Sequence, residues 1–214
     1  MVDIRIYVEG GGNSEMTRAK LRSGFNTFLE SSRSLANTHG IKWRVVASGS
    51  RREAYDDFCA ALKSHPTAFV ALLVDSEDPL PPSCSDPKKR NWEHLKKRQG
   101  DQWECPANVD DSQCFLMIQS METWLVADRA ALKKFYGQHF NEKALPANTD
   151  LESVAKDTLA DRLKQATSKT QKGEYHKTKH AFDILAAVDV AVVRKAVPNC
   201  DRLFAELEAR ITNP

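Results

Sequence analysis

The fold of this chain is decided by Ala68-Phe69-Val70-Ala71-Leu72-Leu73-Val74-Asp75-Ser76-Glu77-Asp78-Pro79. Apolar residues follow one another without alternation from Ala68 to Val74, as a central parallel strand covered on both faces requires. The run breaks at once into acids and a proline, which marks where the strand stops. Ligands of open parallel sheets gather beyond the carboxyl ends of the strands. Asp75, Glu77 and Asp78 are therefore the first candidates for chemistry. Asp75 and Glu77 are separated by one residue and are expected to point the same way.

Working outward, Ile4 to Val8 is a short β-branched and aromatic run that ends in Glu9-Gly10-Gly11-Gly12. It reads as a strand stopped by a turn. Ser14 is placed to cap the following helix, whose apolar face carries Leu21, Phe25, Phe28 and Leu29. A further strand is expected over Ile41 to Ala47, with helix signals resuming at Ser50. A fourth strand, Cys114 to Ile118, runs into Gln119-Ser120-Met121-Glu122-Thr123-Trp124, where a helix begins. The polar stretch from Leu80 to Ser112 is long for an irregular connection, and such segments are functional or partly mobile. Beyond about Asp128 strand signals stop, and helical patterns cover Leu151 to Ala166, Ala181 to Val193 and Cys200 to Ile211. The expected architecture is an α/β core over residues 1–128, a parallel sheet of about four strands flanked by helices. A helical C-terminal part, residues 129–214, packs on it.

Bulk properties narrow the class. With 214 residues, 41% hydrophobic and 28% charged, the chain suits one good core. Its 31 basic and 29 acidic residues leave a net charge of +2, which by itself does not point to nucleic acid. No apolar run approaches the roughly 20 residues of a membrane span, and Met1-Val2-Asp3-Ile4-Arg5 does not open like a signal peptide. Five cysteines (Cys59, Cys84, Cys105, Cys114 and Cys200) lack paired spacing. That pattern fits reduced thiols in a cytoplasm better than disulfides or zinc. A cytoplasmic protein without membrane contact is expected.

Three strand ends thus deliver carboxylates to one edge: Glu9, then Asp75 with Glu77, then Glu122. Like charges so gathered repel unless a cation or protons compensate. Oxygen-only donors suit a hard ion such as Mg²⁺ or Mn²⁺. Each acid also has a plainer use, as a solvated turn residue, a loop cap or a partner of a helix dipole. Gly10-Gly11-Gly12 could cradle a phosphate, but the chain lacks a P-loop and the spaced glycines of a dinucleotide fingerprint. Two basic stretches, Lys88 to Arg98 and Lys169 to His180, are either solvated faces or anchors for a polyanion. Within them Lys96, Lys97, Arg98, Lys177 and Lys179 are candidate phosphate contacts, with Arg51 from elsewhere. Trp92 could stack on a base or simply pack, as Trp103 and Trp124 do.

These residues resemble a known family. Ile6-Tyr7-Val8-Glu9-Gly10 with Leu73-Val74-Asp75-Ser76-Glu77-Asp78 resembles the Toprim fold of topoisomerases, primases and OLD-type nucleases. Gly49-Ser50-Arg51 and Met121-Glu122-Thr123-Trp124-Leu125-Val126-Ala127-Asp128-Arg129 are similar to the uncharacterised, Toprim-like DUF4276 family, whose members often stand beside an ATPase in bacterial phage-defence loci. The resemblance implies that Glu9, Asp75 and Glu77 hold Mg²⁺ (or Mn²⁺), with Glu here where the second acid is usually Asp. Asp78 is the alternative second acid, and Glu122 the further acid of the OLD-like branch. It implies metal-dependent cleavage of a DNA or RNA phosphodiester, with an ATPase partner protein. Rival expectations are a non-catalytic partner subunit of an ATPase complex and a small-molecule phosphohydrolase.

Overall fold

The computed structural model describes residues 3–12, 14–81 and 86–213. Cys84 lies outside the described residues; Cys59, Cys105, Cys114 and Cys200 are free thiols.

Strand β1 (Asp3–Gly11) is followed by helices α1 (Glu15–Phe28) and α2 (Glu30–Thr38), then by β2 (Lys42–Gly49). Helix α3 (Arg51–Ser64) leads into β3 (Phe69–Asp75). Helix α4 (Arg90–Lys97) and β4 (Cys114–Met117) complete the sheet region. The remaining helices are α5 (Glu122–Ala127), α6 (Arg129–Tyr136), α7 (Lys156–Thr167), α8 (Lys177–Leu185), α9 (Val190–Ala196) and α10 (Pro198–Thr212). All four expected strands form one parallel sheet in the order β2-β1-β3-β4. The chain reverses direction of travel across the sheet between β2 and β3. Strand ends on both sides of that switch open at the same edge.

Strand parity builds two cores. Ile4, Ile6 and Val8 of β1, with Phe69, Ala71 and Leu73 of β3, face α1 and the C-terminal helices in one continuous apolar cluster that reaches Ile211. Tyr7, Val70, Leu72 and Val74 face the other way, against Phe58 of α3 and Trp92 and Leu95 of α4. Both faces of β3 are therefore apolar, which is why its sequence shows no alternation. Within the first cluster Trp124 stacks on Phe28 at a ring separation of 5.2 Å.

Local signals act largely as expected. Ser50 and Glu53 form a complete capping box at the start of α3. Ser14 stands at the N-cap position of α1 without making a side-chain cap. The helical pattern over Ala181 to Val193 is split into α8 and α9, because the Asp189 carboxylate accepts from Ala191 N–H and starts a new helix. The largest departure concerns Leu80 to Ser112. Instead of a loose connection, its described part folds α4 and buries Trp92, Leu95 and Trp103 under the sheet. Trp92 is fully buried and donates Nε1–H to the Asp110 carbonyl, so it packs and does not stack on a base. No helix among the described residues is long and apolar enough to cross a membrane.

Candidate metal centre

The carboxyl ends of β1 and β3 deliver their acids from opposite faces of the sheet. Asp75 follows Ala71 and Leu73 in parity and turns toward the C-terminal helices. Glu9 follows Tyr7 and turns toward α3, at a point where the β1–β2 register shifts. Gly10, Gly11 and Gly12 then all take positive φ, a run that side-chain-bearing residues resist. Glu77 joins the pair by a different route from the expected strand alternation. It lies past the end of β3 with φ 68°, and its N–H donates to the Gln119 carbonyl at 2.9 Å. A left-handed turn, not the pleat, aims its side chain back at Asp75.

One carboxylate oxygen from each of Glu9, Asp75 and Glu77 lies within 4.8 Å of the others. Asp75 is the most enclosed, with its side chain 1% exposed. Its Oδ1 accepts from Met121 N–H at 2.8 Å, and its Oδ2 faces Lys177 Nζ at 3.1 Å and Lys156 Nζ at 3.8 Å. Glu9 Oε1 accepts from Asp75 N–H, and Oε2 from Arg51 Nη1, each at 3.0 Å. Lys156 Nζ sits 2.7 Å from both oxygens of Glu77.

Burial and the neighbouring Asp75 push the Glu9 carboxyl up to about 7, against the pull of Arg51. Burial also raises Asp75, against the pull of Lys177. Glu122 goes the other way. Burial alone would raise it, but Lys177 and the Tyr175 hydroxyl more than offset that and hold it below the usual carboxylate range. Lys177, half-exposed, is correspondingly held above the ordinary lysine value despite desolvation, by Asp75 and Glu122.

The remaining sequence candidates fall into distinct places. Glu122 is buried outside the three-acid cluster. Its Oε1 accepts from Tyr175 O–H at 2.8 Å, and Lys177 bridges its Oε2, at 3.7 Å, to Asp75. Asp78 is exposed and pairs with Arg98 Nε at 3.1 Å instead of joining the cluster. Arg51 is committed to the protein. Its Nε and Nη2 grip both oxygens of buried Asp101 at 2.7 Å, Nη1 reaches Glu9 and the Asp75 carbonyl, and its plane lies 5.0 Å over Trp103. Arg98 also reaches Asp101, at 3.3 Å. Lys96 and Lys97 pair with Glu104 and Glu93 on the solvent side of α4. Lys179 is exposed on α8.

Sequence reasoning did not single out Lys156, Asp101 or Tyr175. Tyr175 lies inside the basic stretch that was noted, but nothing local marks it as the partner of Glu122. Lys156 opens α7 in an ordinary polar context, and Asp101 sits in a stretch without periodicity. In the Met121-to-Arg129 segment, in contrast, three residues have clear tasks. Met121 supplies the amide to Asp75, Trp124 fills the core, and buried Asp128 accepts from Ala131 N–H and Asp189 N–H, joining α6 to α9.

The acids open onto a cleft of about 320 Å³ walled by the glycine turn, Met117, Met121, Phe182 and Lys177. The donor chemistry of the cluster, three carboxylates with no nitrogen or sulfur, is what a hard divalent ion takes. No curated protein and no solved structure shows significant similarity to this chain. The family model "Domain of unknown function (DUF4276)" matches residues 8–208, and the chain belongs to that family.

Proposed function

We propose that this protein is a Mg²⁺- or Mn²⁺-dependent nuclease of the Toprim type, the effector of an ATPase-linked anti-phage system. The observation that carries the reading is the meeting of Glu9, Asp75 and Glu77 within 4.8 Å at the carboxyl edge of a parallel sheet. Asp75 and Glu77 would hold the ion, which would supply positive charge at the scissile phosphate and lower the pKa of the attacking water. Glu9, the third acid of the cluster, stands beside them as the candidate proton acceptor. Lys177 lines the cleft with a half-exposed side chain and is the phosphate contact. Glu122 and Tyr175 orient Lys177 from beneath. The cytoplasm is the compartment in which such an effector meets its nucleic acid.

A second reading has its own observation. Lys156 and Lys177 already neutralise the acidic edge, as an ion-pair network in a non-catalytic subunit of an ATPase complex would need. Cells carrying the whole locus separate the two. Under the nuclease reading, Glu9→Gln and Asp75→Asn each abolish protection and nucleic-acid cleavage while the purified proteins stay folded. Full protection with both substitutions would make the binding subunit the correct reading.

A further inference from the structure

Asp101 stands outside the acid cluster, in the segment between β3 and β4, yet it decides how Arg51 meets Glu9. A guanidinium presents its N–H donors in a rigid planar fork. Asp101 accepts from Nε–H and Nη2–H of Arg51, each at 2.7 Å, through a side chain that is 1% exposed. Trp103 supports one face of the guanidinium at 5.0 Å and is itself stacked on Tyr55 at 4.7 Å. With one edge and one face held, Arg51 meets Glu9 at a single point. Its Nη1 donates to Glu9 Oε2 at 3.0 Å and also to the Asp75 carbonyl. The other oxygen of Glu9, Oε1, accepts from Asp75 N–H instead. These contacts use only part of a carboxylate's acceptor capacity, and Glu9 stays open toward the cleft it lines.

We propose that Asp101 is a positioning residue of the metal centre: it keeps Arg51 from closing on Glu9 and so leaves that carboxylate free to join Asp75 and Glu77 around a divalent ion. This rests on the metal reading of the cluster and adds to it a residue that is not itself a ligand. An arginine and a carboxylate that face each other readily form a two-point, charge-assisted pair. Such a pair would engage both oxygens of Glu9 and set a fixed positive charge against an incoming ion. Asp101 occupies the Nε–Nη2 edge that would make it. The Asp101 charge is answered from a second side by Arg98 Nη1 at 3.3 Å, and Arg98 is in turn tied to Asp78. Held at arm's length in this way, Arg51 still offsets part of the repulsion within the cluster.

Calorimetric titration of the full chain with Mn²⁺ tests this on wild type, on Asp101→Asn, and on Asp101→Asn combined with Arg51→Met. Asp101→Asn keeps the shape of the side chain and gives up its charge and one acceptor oxygen. It is expected to weaken Mn²⁺ binding at least about tenfold, as loss of an outer partner of a metal ligand does. Adding Arg51→Met removes the guanidinium that then competes for Glu9, and is expected to restore affinity to within about threefold of wild type. A purely structural Asp101 would give the opposite order, with the double variant binding no better than the single one. Wild-type affinity in Asp101→Asn overturns the proposal. So does a double variant about tenfold or more weaker than wild type, a result that decides the matter even if Asp101→Asn alone does not fold. Melting temperatures without metal, taken on the same samples, show which variants are folded. Asp75→Ala reports on the metal reading itself. If wild type takes up no Mn²⁺, or Asp75→Ala takes it up unchanged, that reading falls and this proposal with it.

Discussion

Lys156 Nζ lies 2.7 Å from both carboxylate oxygens of Glu77, a residue 79 positions earlier in the chain, and 3.8 Å from Asp75 Oδ2. An internal ammonium thus stands against the oxygens that would receive a divalent ion. It relieves the repulsion of the acid cluster and competes for its ligands at the same time.

Lys156→Met separates these two effects. The metal-free protein is expected to lose about 1 kcal/mol of stability, since the pair is partly exposed and therefore worth little more. Mn²⁺ affinity is expected to rise several-fold once the competing cation is gone. Calorimetric titration of wild type and variant measures it, and an affinity that falls would mean Lys156 supports the ion's site instead of contesting it.

Stability in EDTA is expected to fall as the pH rises from about 4.5 to above 7. The Glu9 carboxyl is raised from 4.5 to about 7, and Asp75 is raised as well, so in this window the folded chain binds protons that the unfolded chain has released. That stabilisation is complete below the unfolded value and is lost through the folded one. For Glu9 it amounts to roughly 3 kcal/mol, at about 1.4 kcal/mol per pH unit. The depressed Glu122 acts oppositely below this window, and His180, held low by burial and Lys179, acts oppositely within it. Urea unfolding at pH 5 and pH 8 measures the slope. Glu9→Gln should remove most of it, and an undiminished slope in that variant would assign the effect to other groups.

Removing the metal is expected to matter most where the acids are charged. Mn²⁺ binds the folded state and should raise the melting temperature more at pH 8 than at pH 5, and Asp75→Ala should abolish the rise at both. A rise that survives in Asp75→Ala would place the ion elsewhere.

Asp101 anchors Arg51 with both oxygens and has a side chain that is 1% exposed. Asp101→Ala leaves a guanidinium without its main partner and is expected to cost about 3 kcal/mol or more. Lys96→Ala and Lys97→Ala break exposed pairs and are expected to stay within about 0.5 kcal/mol of wild type. Thermal denaturation of the three variants checks the contrast, and a mild Asp101→Ala would show that Arg51 is held well enough by Glu9 and Trp103.

Replacing Lys96, Lys97 and Arg98 together by Ser is expected to weaken polynucleotide binding and flatten its dependence on salt. Lys96 and Lys97 are the more exposed and should account for most of the change, since Arg98 is tied to Asp78 and Asp101. An unaltered salt slope would leave all three as solvated or structural charges.

Much of this protein was determined by short-range patterns. The unbroken apolar run of Ala68 to Val74 specifies a strand buried on both faces, and its abrupt acidic end specifies where a site would open. Glu9-Gly10-Gly11-Gly12 and Met121-Glu122 mark two further strand ends in the same way, so the sheet and its acids were legible. What the tertiary structure alone decided is which charges meet. Lys156, Tyr175 and Lys177 come from the helical part and reach the acids of the core only because that part packs over the sheet edge. Arg51 looks like a free cation in sequence until Asp101, from a segment without periodicity, occupies its guanidinium. Strands and turns follow from interactions between residues a few positions apart, which sequence spacing records. Ion pairs across 50 to 102 positions depend on the packing of whole elements, which spacing does not record.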